Sequence, residues 1–223
     1  MTDALPYLTY LLAHDPAVHG PFNRARTAAL VRAAVVVELA LRGQLAEADG
    51  VVRPTGAPAD RDPVLAAARP RCDAQPAGWA QLLRRDRAQT LRAVEDRLAA
   101  TGLLTVEERQ TLVVPTRWVT LTTPEAADAV RRRVAALLAS PGPARRVPPD
   151  DAALAALAAA AGLPPAHRGH PRGAAMTRRL ADVAPGLAQA IRNLPADLAQ
   201  STRLLGEPHH EGPGGPPAAV PPS

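Results

Sequence analysis

Several structures and chemistries are excluded by what this sequence has little of. It contains one cysteine, Cys72, so it cannot form an internal disulfide or a thiolate metal cluster, and a reducing compartment is indicated. Aromatic residues make up 2% of the chain, too few for a platform that stacks the bases of single-stranded nucleic acid. No apolar run approaches the ~18 residues of a membrane-spanning helix. The chain begins Met-Thr-Asp without a basic segment, so we expect no secretory signal.

The basic residues of the chain are all arginine, 26 in number, and lysine is absent. Together with the high alanine content, this indicates a GC-rich coding bias of the actinobacterial type rather than a chemical requirement for arginine. The formal net charge of +5 leaves an anionic partner open, which would be phospholipid headgroups, nucleic acid or an acidic protein. The sequence therefore predicts a soluble, intracellular, basic protein.

The hydrophobic pattern predicts a mainly α, single globular domain over residues 1–205 with two short β-hairpins, followed by a disordered Pro- and Gly-rich tail over 206–223. The clearest helix is predicted over 27–41, where apolar residues recur on both sides and Gly43 ends the pattern. One hairpin is predicted around Asp49-Gly50, and another after Gly102 with its turn at Glu107-Glu108-Arg109. Further helices are predicted over 64–69, 87–100, 124–139, 150–161, 174–183 and 186–191.

Sequence motifs for catalysis are missing. The chain has no glycine-rich phosphate loop, no H-E-x-x-H and no G-x-S-x-G, so we expect no enzymatic activity, no metal and no cofactor. Cys72 has no evident histidine partner and is interpreted as a loop thiol. His209-His210 lies in the predicted tail and is not interpreted as a metal site. His167 and His170 flank Arg168 in a basic stretch that could face an anion.

Charged side chains interrupt the predicted helices at places where they need a partner. Glu38 lies in the apolar first helix, and Arg42, one turn later, is predicted to pair with it. Arg32 in the same helix is costly to bury unless it reaches a partner or the mouth of a pocket. Because a guanidinium binds phosphate bidentately, convergence of several arginines would form a phosphate site, whereas singly each is interpreted as solvated surface. The candidates cluster around the helix before the second hairpin: Arg84, Arg85, Arg87, Arg92 and Arg97.

The second hairpin leaves two interpretations open. A helix, a Gly-Leu-Leu step and a strand-turn-strand with Arg109 and Arg117 are typical of a winged-helix domain, so a nucleic-acid-binding protein is the alternative function. However, the preceding helix lacks the polar face of a recognition helix. In the other interpretation, an apolar hairpin with Val113, Val114 and Trp118 enters a bilayer interface or pairs with a second subunit.

The first helix resembles a segment of a known family. Residues 38–45, Glu-Leu-Ala-Leu-Arg-Gly-Gln-Leu, are similar to the E-L-A-L-R-G-R-L segment of the Golgi phosphoprotein 3 family. Similar segments follow in the order of that family, and they are Pro54-Thr55-Gly56, Trp79-Ala80-Gln81-Leu82-Leu83, Gly102-Leu103-Leu104-Thr105 and the helix over 152–162. The resemblance covers about residues 5–200, and the sequence is thereby identified as a member of the family, of a bacterial, actinobacterial type.

The resemblance implies a mostly helical peripheral membrane protein that binds phosphatidylinositol 4-phosphate, with an apolar hairpin beside the lipid site. In eukaryotic relatives it also implies an adaptor for glycosyltransferases in Golgi membranes. The family's headgroup site uses a Trp, an Arg in the first helix and two further Arg spaced by three. Arg32 matches the first Arg, Asn23 occupies the Trp position, and the paired Arg correspond to Arg84 and Arg87, or to Arg87 and Arg92.

Localisation and partners follow from the same resemblance. We expect a cytoplasmic protein, peripheral on the inner face of the membrane, whose partners are anionic membrane lipids. Further candidate partners are a protein cargo, or a second copy of the chain bound through the hairpin. Nucleic acid is the less favoured partner.

Overall fold

The computed structural model describes residues 3–15, 20–21, 23–58, 60–110 and 115–203 of the chain. Its helices are α1 (Leu5–Ala13), α2 (Arg24–Leu41), α3 (Pro63–Arg71), α4 (Trp79–Arg84), α5 (Arg87–Ala100), α6 (Pro124–Ala139), α7 (Pro149–Ala161), α8 (Pro171–Leu180) and α9 (Pro185–Arg203). Its strands are β1 (His14–Asp15), β2 (Gly20–Pro21), β3 (Leu45–Ala48), β4 (Val51–Pro54), β5 (Leu104–Gln110) and β6 (Pro115–Leu121). The predicted fold class, a mainly α single domain, is confirmed.

Helix α2 lies at the centre of the fold. Every residue from Thr27 to Ala40 is buried, because α2 packs against α1, α3, α4, α5, α7 and α9 on its different sides. The small and β-branched side chains of this helix let the neighbouring helices approach closely. Helices α1 and α7 are almost as deeply buried, so these three helices form the core around which the others are arranged.

Two helix ends follow sequence signals that are common at helix termini, and a third does not. The Asn23 side chain caps α2 by accepting a hydrogen bond from the Arg26 backbone N–H at 2.9 Å. Gly162 ends α7 in the left-handed conformation, with a φ of 62°. Thr123 stands at the cap position of α6, but its hydroxyl makes no capping hydrogen bond. Helix α2 also begins one turn earlier than predicted, because the Asn23 cap precedes the apolar pattern.

The β-structure consists of three separate two-stranded antiparallel pairs within the described residues. Strands β3 and β4 form the predicted hairpin, with positive φ at both Asp49 and Gly50 as a type I′ turn requires. Strands β5 and β6 form the second hairpin, but the predicted turn is wrong. Glu107 pairs with Trp118 and Glu108 with Arg117 within the ladder, so the residues of the predicted turn belong to strand β5.

Two helices contain a proline and extend beyond their predicted ends at residues 69 and 191. Helix α3 continues through Pro70 to Arg71, and α9 continues through Pro195. In α9 the apolar face is maintained on both sides of the proline by Leu187, Ile191, Leu194 and Leu198, so packing against the core outweighs the lost backbone hydrogen bond. The predicted tail over 206–223 lies outside the described residues. Among the helices that the structure describes, none combines the length and apolar character needed to cross a bilayer.

The β3–β4 hairpin is attached to the helical core through Trp79. The Trp79 indole Nε1 donates a hydrogen bond to the Glu47 carboxylate at 2.7 Å. Gly186 at the start of α9 lies against both groups, since a Cβ there would come within 2.7 Å of Trp79 Cδ1 and 2.5 Å of Glu47 Oε2. The glycine therefore allows a close approach of α9 to the hairpin and α4.

A second close approach predicts a stability effect. A Cβ at Gly173 of α8 would overlap the Cβ of Ala159 on α7. Replacing Gly with Ala in a helix gains up to about 1 kcal/mol of helix propensity, but overpacking costs about 1–3 kcal/mol, and here the neighbour is a rigid methyl. We expect Gly173→Ala to lower the free energy of unfolding, as measured by urea denaturation. Gly56→Ala is the control because no atom lies within 4 Å of the added methyl. Equal stability of the two variants would contradict the close packing of α7 and α8.

Candidate functional site

Arg32 is the most deeply buried charged residue of α2. Its side chain is enclosed, with 1% of the residue exposed. Nε donates a hydrogen bond to the Leu82 carbonyl at 2.9 Å, and Nη2 lies 3.8 Å from the Cys72 sulfur. Within the described residues Nη1 has no hydrogen-bond partner, and no carboxylate pairs with the guanidinium. A buried cation with one unsatisfied donor is costly unless a ligand completes it.

A small pocket adjoins this unsatisfied group. Its volume is about 90 Å³, and its wall includes Arg32 of α2, Arg71 of α3, and Gln89 and Thr90 of α5. Arg71 is exposed, and among the described residues its guanidinium has no hydrogen-bond or ion-pair partner. The pocket therefore has one buried and one exposed cation, with polar side chains between them.

A wider groove lies beside the pocket, between the amino-terminal halves of α2 and α5. Its volume is about 720 Å³, its floor is formed by alanines and Leu91, and Arg24 and Arg92 lie along it. Gln89 lines both the groove and the pocket. Arg92 is exposed and, within the described part of the chain, has no partner for its charge. Pocket and groove together form one concave, positively charged surface.

The charge of Arg24, in contrast, is neutralised by a buried carboxylate. Glu95 of α5 is fully buried, and both of its oxygens accept hydrogen bonds from Arg24, at 2.9 and 2.8 Å. The Arg117 guanidinium on β6 lies 3.0 Å from the same carboxylate, and the Tyr10 hydroxyl lies 3.5 Å from it. Burial and the nearby Glu95 charge raise the pKa of Tyr10 above its usual value. This Glu95 cluster fixes α5 relative to α1, α2 and the second hairpin.

Two of the predicted headgroup residues, Arg32 and Arg92, line adjoining cavities. Asn23 caps α2 and provides no aromatic surface for a sugar ring. Arg84 and Arg87 do not converge with them. The Arg84 guanidinium donates to both carboxylate oxygens of Asp197 on α9, at 3.2 and 2.7 Å, and this hydrogen bonding raises the pKa of Arg84.

Arg87 has a structural contact at the same junction. Its Nε donates a hydrogen bond to the Leu83 carbonyl at 3.0 Å, beside the Leu82 carbonyl that accepts from Arg32. Burial lowers the pKa of Arg87. Both arginines thus satisfy carbonyls at the end of the short helix α4.

The predicted membrane-facing hairpin is described in part. Val113 and Val114 lie outside the described residues. Trp118 is 40% exposed, and it stands opposite Glu107 on the outer face of the hairpin. Next to it on this face, Thr105 and Thr120 are also exposed, whereas Val119 and Leu121 point into the core. The described part of the outer face is therefore polar around a single aromatic ring.

Arg71 and Gln89 were missed as site residues by the sequence analysis. Arg71 lies beyond residue 69, where the predicted helix ends, and so was not placed on α3. Gln89 is uncharged, and the sequence analysis considered only charged residues for the phosphate site.

Cys72 is not a loop thiol, since it is fully buried at the end of α3 and its sulfur donates to the Ala68 carbonyl at 3.4 Å. Among the described residues no three His, Cys, Asp or Glu side chains are grouped as metal ligands.

A comparison with protein families assigns the chain. The sequence model of the Golgi phosphoprotein 3 (GPP34) family matches residues 5–198, which is most of the chain and nearly all of the described fold.

The chain belongs to the Golgi phosphoprotein 3 family.

The match begins at the first residue of α1 and ends within α9, so it includes all of the elements that line the pocket and the groove. Curated proteins give no match to the chain. The resemblance inferred from segment order along the sequence is thus confirmed at the level of the family.

The Glu95 cluster predicts a large effect of one isosteric substitution. Glu95→Gln removes a buried negative charge between two arginines, and breaking a buried ion pair from one side costs about 3–5 kcal/mol. We expect a loss of that size in the free energy of unfolding, measured by urea denaturation. Asp96→Asn is the control, because Asp96 pairs with the same Arg117 from an exposed position and surface pairs contribute about 0–1 kcal/mol. Similar losses for both variants would contradict a central role of Glu95.

The environment of Cys72 predicts low thiol reactivity. Burial raises the pKa of Cys72, against the opposing influence of the nearby Arg32 and Arg85 guanidiniums. Since the thiolate is the reactive form, we expect a disulfide reagent to modify native Cys72 at least about 100-fold more slowly than the urea-unfolded chain at the same pH. Equal rates in the native and unfolded states would show that the end of α3 is open.

Proposed function

We propose that this protein is a peripheral membrane protein that binds the phosphate groups of anionic lipids, with phosphatidylinositol 4-phosphate-like headgroups as its ligands. The binding surface consists of the pocket and the groove between α2, α3 and α5. The observation that carries the proposal is the buried Arg32 guanidinium, whose Nη1 is unsatisfied beside a pocket. Membership of the Golgi phosphoprotein 3 family supports it, because the resemblance implies such a ligand.

The side chains of the pocket favour a phosphate group as its ligand. A phosphate oxygen beside Nη1 would complete the hydrogen bonding of Arg32 and place a negative charge next to a buried cation. Arg71 at the rim would contribute a second charge from another helix. A pocket of about 90 Å³ has room for a tetrahedral oxyanion but not for a complete lipid headgroup.

The groove has room for the rest of a lipid headgroup. It is open and much larger than the pocket, its floor is apolar, and Arg92 stands along it without a partner among the described residues. A ring that is attached to a phosphate in the pocket would extend into this groove. With Asn23 in place of the family's Trp, charge rather than stacking would dominate the affinity.

Localisation and further partners are parts of the same proposal. A lipid surface that presents phosphoinositide to this face would be the inner face of a membrane. The second hairpin, with Trp118 exposed, would be placed to contact a bilayer, a protein cargo or a second copy of the chain. We propose no catalytic role for these residues.

The proposal predicts that the rim arginines control vesicle binding. Arg71→Gln and Arg92→Gln remove exposed charges that have no partner in the described residues, so they leave the core intact. Each basic residue near an anionic surface contributes about 1 kcal/mol, so we expect each variant to bind about fivefold more weakly. Binding is measured by co-sedimentation with vesicles of phosphatidylcholine alone, with phosphatidylserine, or with phosphatidylinositol 4-phosphate, at low and physiological salt. Arg132→Gln on α6 is the charge-matched control, since Arg132 lines neither cavity.

The outcomes separate the alternatives. Selective binding to phosphoinositide vesicles at physiological salt, weakened by both rim variants but not by the control, is the expected result. Equal weakening by Arg132→Gln, or binding to every anionic vesicle at low salt only, would overturn a defined site in favour of a generic basic surface. No vesicle binding, with duplex DNA bound instead, would support the winged-helix alternative.

A further inference from the structure

A separate cavity lies where helices α7, α8 and α9 meet. Its volume is about 130 Å³, and its wall includes Arg168 and His170 from the loop before α8, and Arg192 from α9. None of the described residues that line it is acidic. We call it the His170 cavity, and it shares no described lining residue with the pocket and groove between α2, α3 and α5.

Arg168 is held at the wall of the His170 cavity by packing rather than by a counter-charge. Its side chain covers the end of α7, where a Cβ at Gly162 would come within 2.9 Å of Arg168 Cγ. Arg168 is exposed, and within the described chain its guanidinium forms no hydrogen bond or ion pair. The donors of this guanidinium are therefore available to a ligand in the cavity.

The Arg192 guanidinium is restrained by a neutral group. Its Nε and Nη2 donate to the side-chain carbonyl of Gln189, one turn earlier, at 3.1 and 2.5 Å. The Gln189 amide in turn donates to the side-chain oxygen of Asn193 at 3.1 Å. Because neither of these side chains is charged, the contacts orient Arg192 without neutralising it.

His170 adds a neutral donor to the same wall. Its Nδ1 accepts a hydrogen bond from the Arg172 backbone N–H at 3.2 Å, and His170 thereby caps α8. With Nδ1 as an acceptor, the ring proton of a neutral His170 is carried by Nε2, which is then a donor. The His167 ring packs against the His170 ring at a centroid distance of 4.9 Å. The first turn of α8 contains no acidic residue, so the helix dipole adds to the positive potential.

We propose that the His170 cavity is an anion site that binds a phosphate group between Arg168 and Arg192. The two guanidiniums come from separate elements and line one cavity without a carboxylate among its described residues, so a doubly charged oxyanion complements them. A cavity of about 130 Å³ has room for a tetrahedral oxyanion. The phosphate can be that of a lipid headgroup or a free phosphate ion. The site goes beyond the proposed function and does not depend on the pocket and groove.

The first test uses the full chain with inorganic phosphate as the probe. Phosphate affinity is measured by calorimetry in the Arg71→Gln/Arg92→Gln background, in which the pocket and groove are weakened. We expect additional Arg168→Gln or Arg192→Gln to weaken phosphate binding at least about tenfold, because each removes charge-assisted hydrogen bonds. Arg178→Gln is the charge-matched control, since Arg178 is exposed on α8 and is not part of the cavity wall.

A second test leaves every charge in place. Ala174 lines the cavity from an exposed position on α8, so Ala174→Leu narrows the cavity within a helix that accommodates leucine. We expect it to weaken phosphate binding at least about fivefold through steric exclusion, with an unchanged melting temperature. Ala196→Leu is the control, because Ala196 is exposed on α9 and lies outside the cavity wall.

Several results would overturn the site. Phosphate affinities of the Arg168 and Arg192 variants equal to that of Arg178→Gln, or no phosphate binding in the Arg71/Arg92 background, would mean that the cavity binds no anion. Equally weakened binding in all three variants would indicate a generic basic surface. Unchanged binding by Ala174→Leu would place the anion outside the cavity. Failure of the rim variants to affect vesicle binding would overturn the proposed function and leave these results unchanged, so the two proposals are distinguishable.

The source of the phosphate is decided by vesicle binding. With vesicles containing phosphatidylinositol 4-phosphate, Arg168→Gln should reduce binding at least about threefold relative to Arg178→Gln if the site takes lipid phosphate. If vesicle binding is unchanged while phosphate binding is lost, the site takes a soluble phosphate. Each of these results supports the anion site and identifies its ligand.

Discussion

The burial of α2 on all sides is the constraint on which the rest of the structure depends. A helix enclosed by six others cannot leave a charge in contact with water, so each charged residue within it must find a partner in the protein or in a ligand. Glu38 meets this requirement completely. One oxygen accepts a hydrogen bond from Arg42 at 2.7 Å, and the other accepts from the Leu5 backbone N–H at 2.9 Å. Arg32 meets it only in part, because its Nη1 has no partner among the described residues.

The surroundings of Arg32 are held by interactions between distant parts of the chain. The Glu95 cluster fixes α5, which supplies one wall of the pocket and one side of the groove. The contact between Arg32 and the Leu82 carbonyl fixes α4, and the Arg84–Asp197 pair then connects α4 with α9. Consequently the cationic surface rests on a rigid framework, and its rim side chains are the parts that can adjust to a ligand.

Much of the fold could be predicted from the sequence, because its signals are local. The Asp49-Gly50 turn, the Glu38–Arg42 pair and the left-handed end of α7 at Gly162 each depend on residues within a few positions of one another. The predictions that failed depended on tertiary packing. Helix α9 extends past its predicted end because its apolar face is maintained on both sides of Pro195, and the predicted turn residues of the second hairpin belong to the strands because Glu107 pairs with Trp118.

The candidate site was predictable to a smaller extent for the same reason. Arg32 is conspicuous in an apolar helix, and the family resemblance pointed to it independently. No nearby residue in the sequence indicates that Arg84 pairs with Asp197, more than a hundred positions away. Likewise, no local pattern indicates that Arg71 of α3 lines the same pocket as Arg32 of α2. Convergence of charges from separate helices is a property of the fold, and spacing along the chain does not encode it.

Arg32 is buried whereas Arg71 and Arg92 are exposed, and this difference has an evolutionary consequence. Arg32 is shared between the pocket and the carboxyl end of α4, so nearly any replacement would be selected against for stability alone. Arg71 and Arg92 support no other part of the described structure, so they can be exchanged at little structural cost. In the proposed site, substitutions at the rim can therefore change the preferred anion, while the central guanidinium is retained. A conserved arginine at this position would by itself report the ancestry of the fold and not the identity of its ligand.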